Sequence, residues 1–323
     1  MKRNVVVLIT VTLTAAASLT WAGAAGPGAV IWAGPGSVAR RDLFYGPGGR
    51  EHQPQGRFKF LEEDKDGGSP KFEVEDGRGV KWKVKVGEEA RPETAATRLL
   101  WGAGYFTDEV YYLPEMRVEG LRGLSRGAEF VAPGGRVRGA RLERKTPGEK
   151  KVGEWSWFKN PFVGTKELNG LRVCMALINN WDLKETNNSI YELPGGERRY
   201  LVSDLGATFG KTGDNFGRSK GDLVDYLGTK FIEELDAREV DFVLHSRPFF
   251  LLAVNAPYYR ERAKMEEVVE DIPRAHARWI GQVLGQLTPR QLNDAFRAAG
   301  YTPAEVRGYT GALRQRIARL KTL

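Results

Sequence analysis

Cysteine is almost missing from this chain: Cys174 is the only one among 323 residues. An intramolecular disulfide is therefore excluded, and so is a metal site built on thiolates. Its neighbours Leu171, Val173, Met175, Ala176 and Leu177 mark Cys174 as a small buried hydrophobe on a helix and not a nucleophile. Histidine is nearly as scarce. His52, His245 and His276 lie far apart in no ligand spacing, which leaves a zinc centre or a Ser-His-Asp triad without its residues. No apolar run reaches the roughly 20 residues that a spanning helix wants. No DNA- or RNA-binding motif is recognisable either, so nucleic acid is not an expected partner.

What remains is an ordinary globular composition, 41% hydrophobic and 28% charged, in a chain long enough for one large or two modest domains. The net charge of +8 favours acidic partners such as nucleotide phosphates, anionic polymers or lipid head groups. Met1-Lys2-Arg3-Asn4 is basic, Val5–Leu19 is uncharged and mostly apolar, and Ala22-Gly23-Ala24 offers a small-x-small cleavage site. Residues 1–25 are thus expected to be an export signal, giving a periplasmic or secreted protein, with an uncleaved membrane anchor as the alternative. Residues 26–56 carry two near-copies, Ala25-Gly-Pro-Gly-Ala-Val and Ala33-Gly-Pro-Gly-Ser-Val, and a third turn at Gly46-Pro47-Gly48-Gly49. That composition predicts a flexible or surface-wrapping linker.

Strand signals begin at Phe58. Pro70–Glu75 and Val80–Val86 flank the turn Asp76-Gly-Arg-Gly79, and strict period-two alternation in the second puts Lys81, Lys83 and Lys85 on one face and Val80, Trp82, Val84 and Val86 on the other. Pro92–Gly102 reads as a helix with proline near its start. Tyr105–Val118 and Glu129–Leu142 supply further strands, and the charged turn Arg144–Lys151 marks a boundary near residue 145. Thr165–Ile178 is a helix with Leu168, Leu171, Met175 and Ile178 on one stripe. Thr288-Pro289 and Thr302-Pro303 each start a helix with a threonine cap. The last helix carries Leu313, Ile317 and Leu320 on one face and Arg314, Arg316, Arg319 and Lys321 elsewhere. Such a basic end can lie on a membrane surface, although a core-facing stripe is the commoner arrangement.

The stretch with the most chemistry is Asn179-Asn180-Trp181-Asp182-Leu183-Lys184, continuing to Asn187, followed by Asp204-Leu205-Gly206. Tyr191–Tyr200 between them reads as a hairpin turning at Pro194-Gly195-Gly196. Two carboxylates and an amide split by a hairpin suit the metal-and-hydroxyl end of a phosphoryl-transfer site. On this pattern the chain resembles the protein-kinase-like superfamily. D-x-K-x-x-N is similar to the catalytic loop and D-L-G to D-F-G, while Asn179-Asn180-Trp181 departs from H-R-D. It looks more like the atypical branch of HipA-type toxin kinases, phosphatidylinositol kinases and secretory-pathway kinases.

The resemblance implies an α+β, two-lobed fold, with an antiparallel β N-lobe over 57–145 and a mainly helical C-lobe over 146–323. It implies ATP and Mg2+ as cofactors and a hydroxyl-bearing acceptor of unknown identity. Asp182 would take the acceptor's proton and Lys184 would neutralise phosphoryl charge. Asn187 and Asp204 would hold the metal; Asn188 is an alternative to Asn187 without the spacing. Gly67, Gly68 and Ser69, within a string similar to the G-x-x-P-K loop of HipA-type kinases, would cover the phosphates, although a plain hairpin turn explains them too. Lys85 would reach the phosphates and pair with Glu93; Lys83 shares its face, and parity does not separate the two. An acid at Glu93 also suits the macrodipole alone. Ala207–Gly217 would be a mobile activation-type segment, and no A-P-E follows it. Besides an exported kinase, the sequence leaves open a catalytically inactive nucleotide-binding pseudokinase or scaffold of the envelope, or a structural or carbohydrate-binding protein.

Overall fold

A computed structural model describes residues 28–212, 217–246 and 249–323. The export signal expected over 1–25 lies outside the described residues. The chain enters at β1 (Ala29–Val30) and continues into β2 (Phe58–Asp64), β3 (Lys71–Glu75) and β4 (Lys81–Val86). Then follow α1 (Ala90–Gly102), β5 (Val110–Glu119), β6 (Val131–Ala132) and β7 (Arg136–Arg144). Six of these strands form one sheet in the order β4-β3-β2-β5-β7-β6, and β7 also pairs with β4. The sheet therefore curls on itself, enclosing a core that includes Phe72, Val74, Trp82, Val84, Val137 and Leu142. The predicted alternation on β4 is what fills it: Trp82, Val84 and Val86 point inward and are buried. Asp76 holds the β3–β4 turn by accepting from the backbone N–H of Arg78 and Val80 at 2.9 and 3.1 Å and from the Trp82 indole at 3.1 Å.

The second half begins with β8 (Lys150–Gly153), α2 (Lys166–Leu177), β9 (Asn188–Glu192) and β10 (Arg198–Val202). Then come α3 (Leu223–Gly228), β11 (Ile232–Leu235), β12 (Glu239–Phe242), α4 (Phe250–Val254) and α5 (Ala256–Glu266). The chain closes with β13 (Ile272–Pro273), α6 (Arg274–Leu284), α7 (Pro289–Ala298) and α8 (Pro303–Lys321). The result is α+β, strand-rich in its N-terminal half and helix-rich in its C-terminal half. Both threonine caps close full capping boxes, Thr288 with Gln291 and Thr302 with Glu305; a cap of this kind is worth about 1 kcal/mol. Among the described residues no helix is long and apolar enough to cross a membrane.

Three expectations need correction. The Gly/Pro-rich stretch is not a flexible linker over its described part: β1 adds parallel to β10, Ile31, Val38 and Leu43 are buried, and the Gln291 side-chain amide donates to the Val38 and Arg41 carbonyls at 2.7 and 2.9 Å. Its apolar residues, spaced between the glycines, supply burial that composition alone hides. The segment after Gly206 is not mobile at its start, because Ala207, Thr208, Phe209 and Thr212 are all buried. Helix α1 faces both halves: Glu93 and Arg98 reach Lys85, Arg141 and the Val110 carbonyl of the sheet, while Ala95, Ala96, Leu99 and Leu100 join the core shared with the C-terminal helices. Finally, Arg316 is no surface cation. It is buried, stacks over Tyr226 at 4.2 Å and donates to the Leu177 carbonyl at 3.1 Å and the Thr229 hydroxyl at 2.7 Å, while Leu313, Ile317 and Leu320 face the core.

Candidate active site

The site starts where α2 stops. Thr165 caps the helix by accepting from the Leu168 N–H at 3.2 Å. At the other end Asn179 turns left-handed at φ 50°, with the Asn180 N–H bonded to the Met175 carbonyl at 2.9 Å and the Asn179 N–H to the Ala176 carbonyl at 3.0 Å. This is a Schellman ending with asparagine where glycine is usual, and it throws the chain sharply into Trp181 and Asp182. The Asn180 side-chain oxygen then accepts from the Asp182 N–H at 3.1 Å, and the Asn179 amide donates to the Gly210 carbonyl at 2.6 Å. Backbone bonds from Trp181 N–H to the Ala207 carbonyl and from Phe209 N–H to the Ile178 carbonyl, at 3.1 and 2.9 Å, tie this loop to the segment after Gly206.

Within the loop, Asn187 donates through Nδ2 to the Asp182 carbonyl at 2.7 Å. Lys184 pairs with Asp182 Oδ1 at 3.0 Å and with Glu261 of α5 at 3.5 Å. Burial works against the Lys184 ammonium, but the bond and charge of Asp182 and of Glu261 raise its pKa above the ordinary lysine value. The β9–β10 hairpin connects this cluster to Asp204: Asn188 stands opposite Val202, and the Asn187 carbonyl accepts from the N–H groups of Ser203 and Asp204 at 2.8 and 3.4 Å. Asn187 and Asp204 are thus neighbours through the backbone, as the hairpin spacing implies.

Across from them, Lys85 ends the lysine face of β4. Its side chain is 6% exposed and reaches Glu93 at 2.8 Å, Glu89 at 3.1 Å and Asp204 at 3.3 Å. Lys83 instead pairs with Asp64 at 3.7 Å and is 33% exposed. Parity leaves the two lysines equivalent; the end of the strand, where α1 and Asp204 close over it, distinguishes them. Burial opposes the Lys85 charge, yet Glu93 and Asp204 push its pKa well above the usual range. Glu93 is buried in the first turn of α1, and its other oxygen meets Arg141 of β7 at 2.7 Å. Burial raises the Glu93 carboxyl above its ordinary value, while Arg141 and Lys85 pull it back toward the anion.

Ser69 sits on the β2–β3 turn with Gly67 and Gly68, and its hydroxyl donates to Glu89 Oε2 at 2.7 Å. Glu89, Arg141 and Lys220 are the residues of this cluster that sequence reasoning missed. Glu89 carried a faint signal, since it stands four residues from both Lys85 and Glu93 and so shares their helix-start neighbourhood. Lys220 carried none, because its approach depends on how the segment after Gly206 folds back. His245 was read only as a non-ligand. It is buried, with Nδ1 at 2.6 Å from Glu266 Oε2 and Nε2 at 2.8 Å from the Trp181 carbonyl, and Glu266 also accepts from the backbone N–H of Leu244 and His245 at 2.7 and 3.0 Å. The chain thus braces the peptide just before Asp182 from behind.

Glu89, Glu93 and Asp204 offer three carboxylate oxygens within 4.8 Å of one another. They converge because the Lys85 ammonium stands among them, and a divalent cation at the same point would meet that charge at contact distance. Of the three, Asp204 is the one open to solvent, its side chain 43% exposed.

No protein family matches this sequence significantly, and neither does any curated protein. Among solved structures the chain is similar to a Helicobacter pylori proinflammatory kinase, CtkA, at 11% identity and a TM-score of 0.46, over 83% of this chain and 98% of that one.

Proposed function

We propose that the protein is an exported, atypical kinase-like phosphotransferase. It moves the terminal phosphoryl group of ATP to a hydroxyl of a protein, lipid or envelope polymer. The observation that carries this reading is Lys85. A buried strand lysine is gripped by a helix glutamate, Glu93, and touched by Asp204 from a hairpin whose other end carries Asp182, Lys184 and Asn187. Phosphoryl transfer needs little covalent chemistry from a protein; it needs positioned charge, which this arrangement supplies.

The donor set fits nucleotide phosphates. Ser69 Oγ and Lys85 Nζ already share one anionic oxygen, that of Glu89, at 2.7 and 3.1 Å. Lys85, fixed by Glu93, would hold the phosphates beneath the turn at Gly67, Gly68 and Ser69. Asp204 and the side-chain oxygen of Asn187 would hold Mg2+, which supplies charge neutralisation on the phosphate oxygens when bound. Asp182 would orient the acceptor hydroxyl and accept its proton, an effect worth roughly 10²- to 10⁴-fold. Lys184, 46% exposed beside Asp182, would face the group being transferred. An N-terminal export signal would place this chemistry in the periplasm or outside the cell.

Calorimetric titration with ATP, with and without Mg2+, tests the reading on wild type, Asp182→Asn and Asp204→Asn. The expected result is Mg2+-dependent binding that Asp204→Asn reduces to the Mg2+-free level. Asp182→Asn should keep binding and lose transfer of labelled phosphate to acceptors in an envelope extract. Binding without any transfer by wild type would favour a nucleotide-binding pseudokinase or scaffold, and no binding at all would end the reading.

A further inference from the structure

We infer that Lys220 is a phosphate-contacting residue of this site, and that the Glu89 carboxylate fills the phosphate position until nucleotide takes it over. The inference rests on the nucleotide-binding reading above and goes beyond it, because that reading gives Lys220 no part and uses Glu89 only to mark where an anion sits. Three donors from three separate parts of the chain converge on the one carboxylate. Ser69 Oγ on the β2–β3 turn and Lys85 Nζ at the end of β4 donate to Oε2 at 2.7 and 3.1 Å, and Lys220 Nζ donates to Oε1 at 2.8 Å. A hydroxyl and two ammonium groups spread over both oxygens of one anion is the donor chemistry of a phosphate receptor.

Backbone hydrogen bonds on either side fix the place of Lys220. The N–H of Gly221 bonds to the Thr208 carbonyl at 2.9 Å, and the N–H of Ser219 bonds to the Lys211 carbonyl at 3.0 Å. The Ser219 carbonyl accepts from the Trp181 indole at 3.1 Å, and the Lys220 ammonium lies 5.8 Å from the centre of the Trp181 ring. The lysine is therefore positioned by the residue immediately before Asp182. Burial works against the Lys220 charge, but the bonds and charges of Glu89 and Glu88 raise its pKa above the ordinary lysine value.

Glu89, for its part, is not used as a helix cap. It opens α1 without any side-chain bond to the helix N–H groups, and turns instead onto Gly206. A Cβ at Gly206 would stand 2.8 Å from the Cβ, Cγ and Cδ of Glu89, so only glycine at this point of D-L-G lets the side chain lie there. A single carboxylate competes poorly for two lysines against a triphosphate, which carries several charges. Once displaced, Glu89 can turn outward toward solvent on the side where its neighbour Glu88 is already 66% exposed.

The test is calorimetric titration of the full chain with ATP–Mg2+ and, separately, with adenosine. It uses wild type, Lys220→Ala, Lys220→Arg and Glu89→Gln, each checked for folding by its thermal melt. Lys220→Ala is expected to weaken ATP by about tenfold or more, as losing one charge-assisted phosphate contact should. It should leave adenosine unchanged, and Lys220→Arg should recover most of the loss. Glu89→Gln is expected to bind ATP several-fold more tightly, because the internal competitor is gone. If Lys220 only ties its segment to α1, Lys220→Ala will weaken both ligands alike or neither, and Glu89→Gln will weaken ATP; either result overturns the inference. Should Lys220→Ala not fold, Glu89→Gln decides alone, by tightening or weakening ATP. Wild type that binds neither ligand ends the nucleotide reading itself, an outcome distinct from wild type that binds ATP while the variants match it.

Discussion

Lys85 Nζ lies 2.8 Å from Glu93 Oε2, and the opposite oxygen of the same carboxylate lies 2.7 Å from Arg141. Two cations from facing residues of paired strands, Lys85 opposite Arg141, thus share one buried acid from a helix, while Asp204 and Glu89 also face Lys85 and Glu143 also pairs with Arg141. Lys85→Ala leaves Glu93 with a single partner. Removing one member of a buried ion cluster costs about 3–5 kcal/mol when a charge is left uncompensated; with Arg141 still in place, a loss of about 2–3 kcal/mol is expected. Urea denaturation reads the stability, and a titration with ATP should show binding weakened at least tenfold. A variant as stable as wild type that still binds ATP would contradict the role given to this lysine.

His245 joins Glu266 to the Trp181 carbonyl at 2.6 and 2.8 Å. Its expected contribution is placement of Asp182, one peptide further on. His245→Ala should lower the rate of phosphoryl transfer by about 10- to 100-fold, as a misplaced reacting group does, while ATP affinity stays within about twofold. Single-turnover kinetics beside a binding titration separates the two. A parallel loss of affinity and rate would mean that the ring supports the fold and nothing more local.

Acid should unlock Glu89. Burial pushes its carboxyl up, but Lys85, Lys220 and Ser69 outweigh burial and hold it at about 2, against 4.5 for the ordinary group. A carboxyl held low in the folded state stabilises it fully above the unfolded pKa, and that contribution is lost as pH falls through the folded value. The stability gap between wild type and Glu89→Gln should therefore shrink by at most about 3 kcal/mol between pH 5 and pH 2. Other acids with lowered values, such as Asp76 and Glu305, are present in both proteins and cancel in the difference. A gap that does not change with pH would rule this out.

Phe209 sits at φ 54° and is fully buried, packing edge-on against Tyr226, Phe296 and Tyr309 with ring centroids 5.1 to 5.5 Å apart. Truncation to alanine should cost about 3–5 kcal/mol through the cavity it leaves. Glycine removes the same ring but tolerates the left-handed backbone, so Phe209→Gly should be less damaging than Phe209→Ala by up to about 1 kcal/mol. Thermal or urea melts give the order; alanine proving the milder change would show that the backbone relaxes once the ring is gone.

Much of the local structure was legible because it is short-range. Period-two alternation placed Trp82, Val84 and Val86 inside the sheet; threonine before proline located the starts of α7 and α8; Pro194-Gly195-Gly196 located the turn between β9 and β10. Where each rule needs only neighbours a few residues apart, the chain states its own answer. The buried part of residues 28–56 escaped because composition averages over Ile31, Val38 and Leu43, which bury themselves only when α7 and β10 arrive to cover them. Arg316 escaped for the same reason, since its partners Leu177 and Thr229 come from other elements.

The order of residues alone set which side chains belong to the loop and hairpin: Asp182, Lys184, Asn187 and Asp204 are close in sequence, and a tight turn brings its two arms together. It also restricted the lysine to one face of β4. Only the tertiary structure buried Lys85 against Glu93 and left Lys83 beside Asp64, aimed Glu93 and Arg141 at each other, and carried Lys220 and Glu89 to a common point. Those choices turn on burial and on charges meeting across long loops, and neither quantity exists until the elements have packed.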